Sequence, residues 1–135
     1  MDSGREKEQL VEKVLGLGGL FFRARDPKSL AKWYKDNLGI AEVPNDYDTP
    51  AWQNRGGDFV FAPFAEDTDY FGNPDKQVMV NFVVRDLDAM AAQLRAVGAE
   101  VKVHDEVYPN GRFAHLQDPE GNPIELWEPA KPSPA

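Results

Sequence analysis

Two stretches of the chain repeat at an offset of sixty residues, and no other feature restricts the fold as tightly. Leu20-Phe21-Phe22-Arg23-Ala24-Arg25-Asp26 and Val80-Asn81-Phe82-Val83-Val84-Arg85-Asp86 share Phe22/Phe82, Arg25/Arg85 and Asp26/Asp86. Each is a β-rich run ending in an aspartate that can cap a helix, and Pro27 follows the first in the favoured opening position. Apolar residues then recur at helical spacing: Leu30, Trp33, Tyr34 and Leu38 in one copy, Leu87, Met90, Leu94 and Val97 in the other. Gly39 and Gly98 stand where a left-handed residue ends a helix. Strand, capped helix and glycine stop thus occur twice in phase, as in a duplicated unit.

Strand-like segments follow each helix. In the second unit they are Glu100 to Val103, Arg112 to Gln117 and Pro123 to Trp127, separated by the turns Tyr108-Pro109-Asn110-Gly111 and Asp118-Pro119-Glu120-Gly121. In the first unit they are Ile40 to Val43, Ala51 to Asn54 and Asp58 to Phe64, the last after Arg55-Gly56-Gly57. The pattern predicts an α+β fold of two tandem βαβββ modules in one domain, residues 14–129. Module 1 takes about 14–64, an acidic linker loop 65–77, and module 2 about 78–129. Residues 1–13 read as a flexible charged lead and 130–135 as a disordered Pro/Ala tail. One helix covers only one face of its module's sheet. The other face must close on a partner, a ligand or the second module.

A formal charge of −8 with no basic cluster argues against nucleic-acid or anionic-membrane partners and favours a small molecule. The chain has no cysteine, so disulfides, thiolate ligands and cysteine nucleophiles are excluded. No apolar run is long enough to span a bilayer, and the charged N-terminus lacks the apolar core of a secretion signal. A cytoplasmic location is the expectation.

With this architecture, the segments Trp33-Tyr34-x-x-x-Leu38-Gly39 and Asp118-Pro119-Glu120-Gly121-Asn122-Pro123-Ile124-Glu125-Leu126 resemble the vicinal oxygen chelate superfamily over nearly the whole body of the chain. That group includes glyoxalase I, bleomycin-resistance and other drug-binding proteins, extradiol dioxygenases and epimerases. The resemblance implies paired modules whose mixed sheets curl into a cup around a ligand, commonly in a homodimer. It also implies four cup-facing metal positions, which fall on Gly19, Met79, Phe61 and Glu125. Only Glu125 carries a donor for a hard or borderline divalent ion, whereas a catalytic zinc takes about three protein ligands. No cofactor is therefore expected. A divalent metal remains an alternative only if His115 joins Glu125.

If Asp118 to Asn122 closes the last hairpin, His115 lies opposite Glu125, with Cβ atoms ~5 Å apart on one face. Alternation then lines the cup with Phe21 and Arg23 on the first strand, and with Met79, Asn81 and Val83 on the matching strand of module 2. Phe61, Trp52, Phe113, His115, Glu125 and Trp127 complete a mostly aromatic wall with few polar groups, the composition of a small-molecule site. Trp33 and Tyr34 are read as core, and His104 as a surface residue. The leading expectation is metal-independent binding of a small apolar or aromatic molecule, with Arg23, Asn81, His115 and Glu125 orienting it. Two alternatives compete. In one, His115 and Glu125 are catalytic, through a metal or by acid–base chemistry in a lyase, isomerase or ring-cleaving dioxygenase. In the other, a filled cup serves only structure or interaction. Tyr70 and Phe71 on the linker suit either a lid or a subunit contact.

Overall fold

The duplicated units open on strands that lie side by side at the centre of one sheet. In the computed structural model, which describes residues 11–54 and 57–131, β1 (Val14–Ala24) runs antiparallel to β4 (Val78–Val84). Each central strand is flanked by the last strand of its own module in parallel: β3 (Gly57–Ala65) beside β1, and β7 (Pro123–Pro129) beside β4. Next to these lie β2 (Trp52–Asn54) on one side, and β6 (Gly111–Gln117) then β5 (Lys102–Val103) on the other. The order is β2-β3-β1-β4-β7-β6-β5, a mixed, open and curled sheet.

The helices α1 (Pro27–Leu38) and α2 (Leu87–Ala96) start where the two aspartates predict. Asp26 accepts from the Ser29 amide at 3.1 Å and Asp86 from the Ala89 amide at 3.0 Å. Gly39 ends α1 with φ of 71°, a conformation other residues adopt only at a cost. Glu128 of β7 accepts from the Leu87 amide at 2.8 Å and ties the start of α2 to the sheet.

Both helices pack on the convex face, unequally. Leu87, Met90 and Ala91 of α2 are buried with Val84, Ala114 and Leu126 of the sheet. None of α1's residues is fully buried. Tyr34 packs on Phe22 and Phe61, but Trp33 is 52% exposed, which corrects its reading as core. Trp33 leans edge-on against Tyr34 and so sits outside the seam.

Module 1 also departs from four strands. Residues 41–43 are exposed and unpaired, because no neighbouring strand offers them a ladder, so Ile40 to Val43 is not a strand. Its counterpart in module 2 shrinks to Lys102–Val103. The turn residues 55–56, the lead through residue 10 and the tail from residue 132 lie outside the described residues. No helix among the described residues is long and apolar enough to cross a membrane.

Candidate functional site

The concave face gathers most of the residues expected there. Pairing of β6 with β7 sets His115 against Glu125, Phe113 against Trp127 and Gln117 against Pro123, with no shift at Gly121. Pairing of β4 with β7 sets Asn81 beside Glu125. Phe21 and Met79 stand across from each other on β1 and β4. Phe21, Met79, Asn81, Glu125 and Trp127 are all buried, and Phe113 stacks on Trp127 with ring centroids 6.2 Å apart.

Two expected members lie on the other face. β3 runs beside β1 with Phe21 opposite Ala62, so Val60, Ala62 and Phe64 point into the cup and Phe61 points towards α1. The Phe61 ring lies 5.1 Å from Phe22 and 5.0 Å from Tyr34. Trp52 opposes Phe59, on the same convex side as Phe61. The pair Phe21/Ala62 mirrors the pair Asn81/Glu125, so Ala62 rather than Phe61 is the first module's counterpart of Glu125. Alanine has no donor, so the shortage of metal ligands persists after the correction.

Glu125 is the only buried carboxylate among the described residues, and donors converge on it. Asn81 Nδ2 donates to Oε1 at 2.6 Å, while His115 Nε2 at 2.8 Å and the Tyr70 hydroxyl both meet Oε2. A desolvated carboxylate is tolerated when its lone pairs are filled in this way. Burial and the adjacent Glu125 charge hold the Tyr70 hydroxyl far above the ordinary phenol range, so Tyr70 is a donor here. The Asn81 Oδ1 atom has no partner, and it faces the bare backbone of Gly18.

Arg23 plays a different part from the one expected. It faces the cup side but does not pair with Glu125. Its guanidinium donates to the backbone carbonyls of Glu66, Thr68, Asn73 and Lys76 at 2.8–3.2 Å, and lies 4.9 Å from the Phe71 ring centroid. Arg23 thereby folds the linker loop over the cup. Tyr70, missed as a site residue, enters by that route. An aromatic pair on an acidic loop was the one available signal.

His104, read as a surface residue, is half-buried against His115, with ring centroids 4.5 Å apart. Desolvation first, then the neighbouring His115 ring, push His104 below its ordinary value near 6.5. A depressed folded-state value makes the neutral form native. Above the unfolded value both states are neutral and nothing is gained. As pH falls through about 6.5 the unfolded chain takes the proton first, so stability declines. His104→Gln is expected to flatten that acid-side slope. Urea midpoints of both proteins between about pH 7.5 and 5 check it.

Space remains beside the filled half of the cup. A cavity of about 370 Å³ lies between Val60, Trp127, Asn110 and the segment Val43 to Ala51, within the ordinary range for small-molecule sites. A second opening of about 430 Å³, lined by Phe71, Gly72, Glu100 and His115 among others, leads to the loop's edge.

Residues present on this face do not fit a catalytic divalent metal. Gly19, Met79 and Ala62 offer it nothing, and among the described residues no three His, Cys, Asp or Glu side chains are placed to share an ion. Glu125 and His115 are one ligand short, and already bond each other.

A family model described as a glyoxalase-like domain matches residues 7–127. Methylmalonyl-CoA epimerase from Mycobacterium tuberculosis is similar in structure, with a TM-score of 0.64 and 24% identity over 87% of this chain and 90% of that one. A Streptomyces coelicolor methylmalonyl-CoA epimerase variant, in complex with 2-nitronate-propionyl-CoA, has a TM-score of 0.62 and 19% identity over 88% of this chain and all of that one. Homoprotocatechuate 2,3-dioxygenase from Brevibacterium fuscum has a TM-score of 0.58 and 15% identity, covering 89% of this chain and 34% of that one. At such identities the likeness is one of fold. None of the curated proteins matches the chain in sequence.

Proposed function

The chain belongs to the glyoxalase-like domain family, within the vicinal oxygen chelate superfamily, and from that premise we propose that it binds a small, partly aromatic molecule in its cup without a metal ion. The observation that carries this reading is the occupancy of Glu125. Its oxygens are met by protein donors from three directions, and among the described residues no further carboxylate or thiolate joins Glu125 and His115 to make a metal-binding group. Phe21, Phe64, Phe113 and Trp127 supply apolar walls; Asn81, His115 and Glu125 supply sparse polar anchors. That ratio suits burial of an aromatic body with one or two oriented hydrogen bonds.

Calorimetric titration of a ligand panel, with and without EDTA, tests the reading. Affinities are expected to be unchanged by the chelator, and Ni²⁺, Zn²⁺, Fe²⁺ and Mn²⁺ are expected to show no stoichiometric tight binding. A tight one-to-one metal site that Glu125→Ala abolishes would overturn it.

A second reading, metal-free acid–base catalysis, is favoured by one contact: His115 Nε2 lies 2.8 Å from Glu125 Oε2, and His115 keeps partial access to solvent. In that role His115 would move a proton while Glu125 orients the ring. Two structural neighbours are epimerases in name. Solvent deuterium entering a supplied methylmalonyl thioester, and lost in His115→Gln, distinguishes this from binding alone.

A further inference from the structure

Tyr70 and Phe71 sit inside the cup of their own chain. Phe71 is 2% exposed and packs with Phe21, Ala62 and Met79. The Tyr70 ring stacks on Phe64 with centroids 5.5 Å apart, and meets the His115 ring edge-on at 4.7 Å. Its hydroxyl ends on Glu125. One π face, one edge and the polar tip of a phenol are thus each recognised by a separate wall of the site. The segment carrying it, residues 66–77, has no strand or helix of its own. Its ordering depends on Arg23, on Gln77 bonded to the Arg23 backbone, and on Asn73 bonded to the Gly121 carbonyl.

We propose that Tyr70 is a built-in occupant of the ligand site, and that the ligand the cup selects is a neutral hydroxyaromatic molecule whose O–H replaces the Tyr70 hydroxyl on Glu125. The proposal rests on the binding reading above and names its ligand class. Chemistry excludes the neighbouring classes. An ionised carboxylate only accepts hydrogen bonds, so an anionic ligand meets like charge beside Oε2. A ring without an O–H leaves a buried acceptor without that partner. An aliphatic alcohol satisfies Glu125 but forgoes the stacking on Phe64 and the edge contact with His115. Entry follows the opening between Phe71 and His115, where the loop edge meets β6.

The probe is p-cresol, which is the tyrosine side chain itself, with toluene as its hydroxyl-free control. Binding by calorimetry and thermal shift is compared in the wild-type chain, in Tyr70→Gly, which vacates the site, and in Tyr70→Phe, which keeps the ring and drops the hydroxyl. Tyr70→Gly is expected to bind p-cresol about tenfold or more tightly than it binds toluene, and than the wild type binds p-cresol. p-Cresol is also expected to restore much of the variant's lost melting temperature. Should Tyr70→Gly fail to fold, Tyr70→Phe carries the test, because its weakened incumbent is expected to yield to p-cresol about tenfold more readily than tyrosine does. Equal affinity for p-cresol and toluene in a folded Tyr70→Gly, or no gain for p-cresol in Tyr70→Phe, overturns the proposal. A wild-type chain that binds non-hydroxylated members of the panel but no hydroxyaromatic one overturns the ligand class and leaves the binding reading standing. One that binds no member of the panel overturns both.

Discussion

Arg23→Ala is expected to lower the free energy of unfolding by about 3–5 kcal/mol, near the cost of breaking a buried charged network. Arg23 is 8% exposed. It is the common donor for four loop carbonyls, those of Glu66, Thr68, Asn73 and Lys76, and it lies over Phe71. Alanine leaves all four acceptors without that partner and opens a gap beneath Phe71, so two named mechanisms act together. Arg23→Lys is expected to recover less than half of the loss. A lysine has a single ammonium that cannot span four divergent carbonyls or lie flat on a ring. Urea unfolding gives the energy, and amide exchange across residues 66–77 gives its location. A loss under about 1 kcal/mol with the loop's protection intact would show that the loop holds itself.

That reassignment of Arg23 shows how far the sequence carries. Its strand, face and burial were legible from alternation and from the repeat, because these are local or duplicated properties. Its partners were not. They are backbone carbonyls on a loop about fifty residues away, and any residue supplies a carbonyl. The His115–Glu125 pairing was legible for the opposite reason. A hairpin's register follows from its own loop, and Asp118 organises that loop by accepting from Glu120 and Asn122 amides at 2.9 Å.

Phe61 marks the limit of period-two reading. The run Phe59-Val60-Phe61-Ala62-Pro63-Phe64 is apolar on both faces, since one side meets α1 and the other lines the cup. No alternation survives to tell the faces apart. The parity is set by pairing with β1, a contact some forty residues distant. Trp52 inherits the error through Phe59, its partner across β2 and β3. The Ile40 to Val43 strand failed differently: its composition suits a strand, but a strand needs an edge to join, and composition does not report whether one is free.

Glu125→Ala and Glu125→Gln are expected to part by about 2 kcal/mol, and the gap tests whether Glu125 acts as a hydrogen-bond hub or merely fills space. Alanine takes the acceptor from Asn81 Nδ2, His115 and Tyr70 and leaves a void where a 2% exposed side chain stood, a loss of about 3 kcal/mol. Glutamine keeps the shape. Its amide oxygen can accept from Asn81, and its NH₂ group can donate to the Tyr70 oxygen and to His115 once the imidazole adopts its other tautomer. Each partner on Oε2 can reverse its role, so the cost is expected to stay near 1 kcal/mol or below. The same reversal turns the site from an acceptor into a donor. Glu125→Gln is therefore expected to fold nearly as well as the wild type while losing its preference for O–H ligands over aryl ethers, whose oxygen only accepts. Denaturant midpoints and p-cresol against 4-methylanisole titrations read the two effects separately. Equal destabilisation by both substitutions would reduce Glu125 to a packing residue, and a glutamine variant with unchanged ligand preference would remove the carboxylate from recognition altogether.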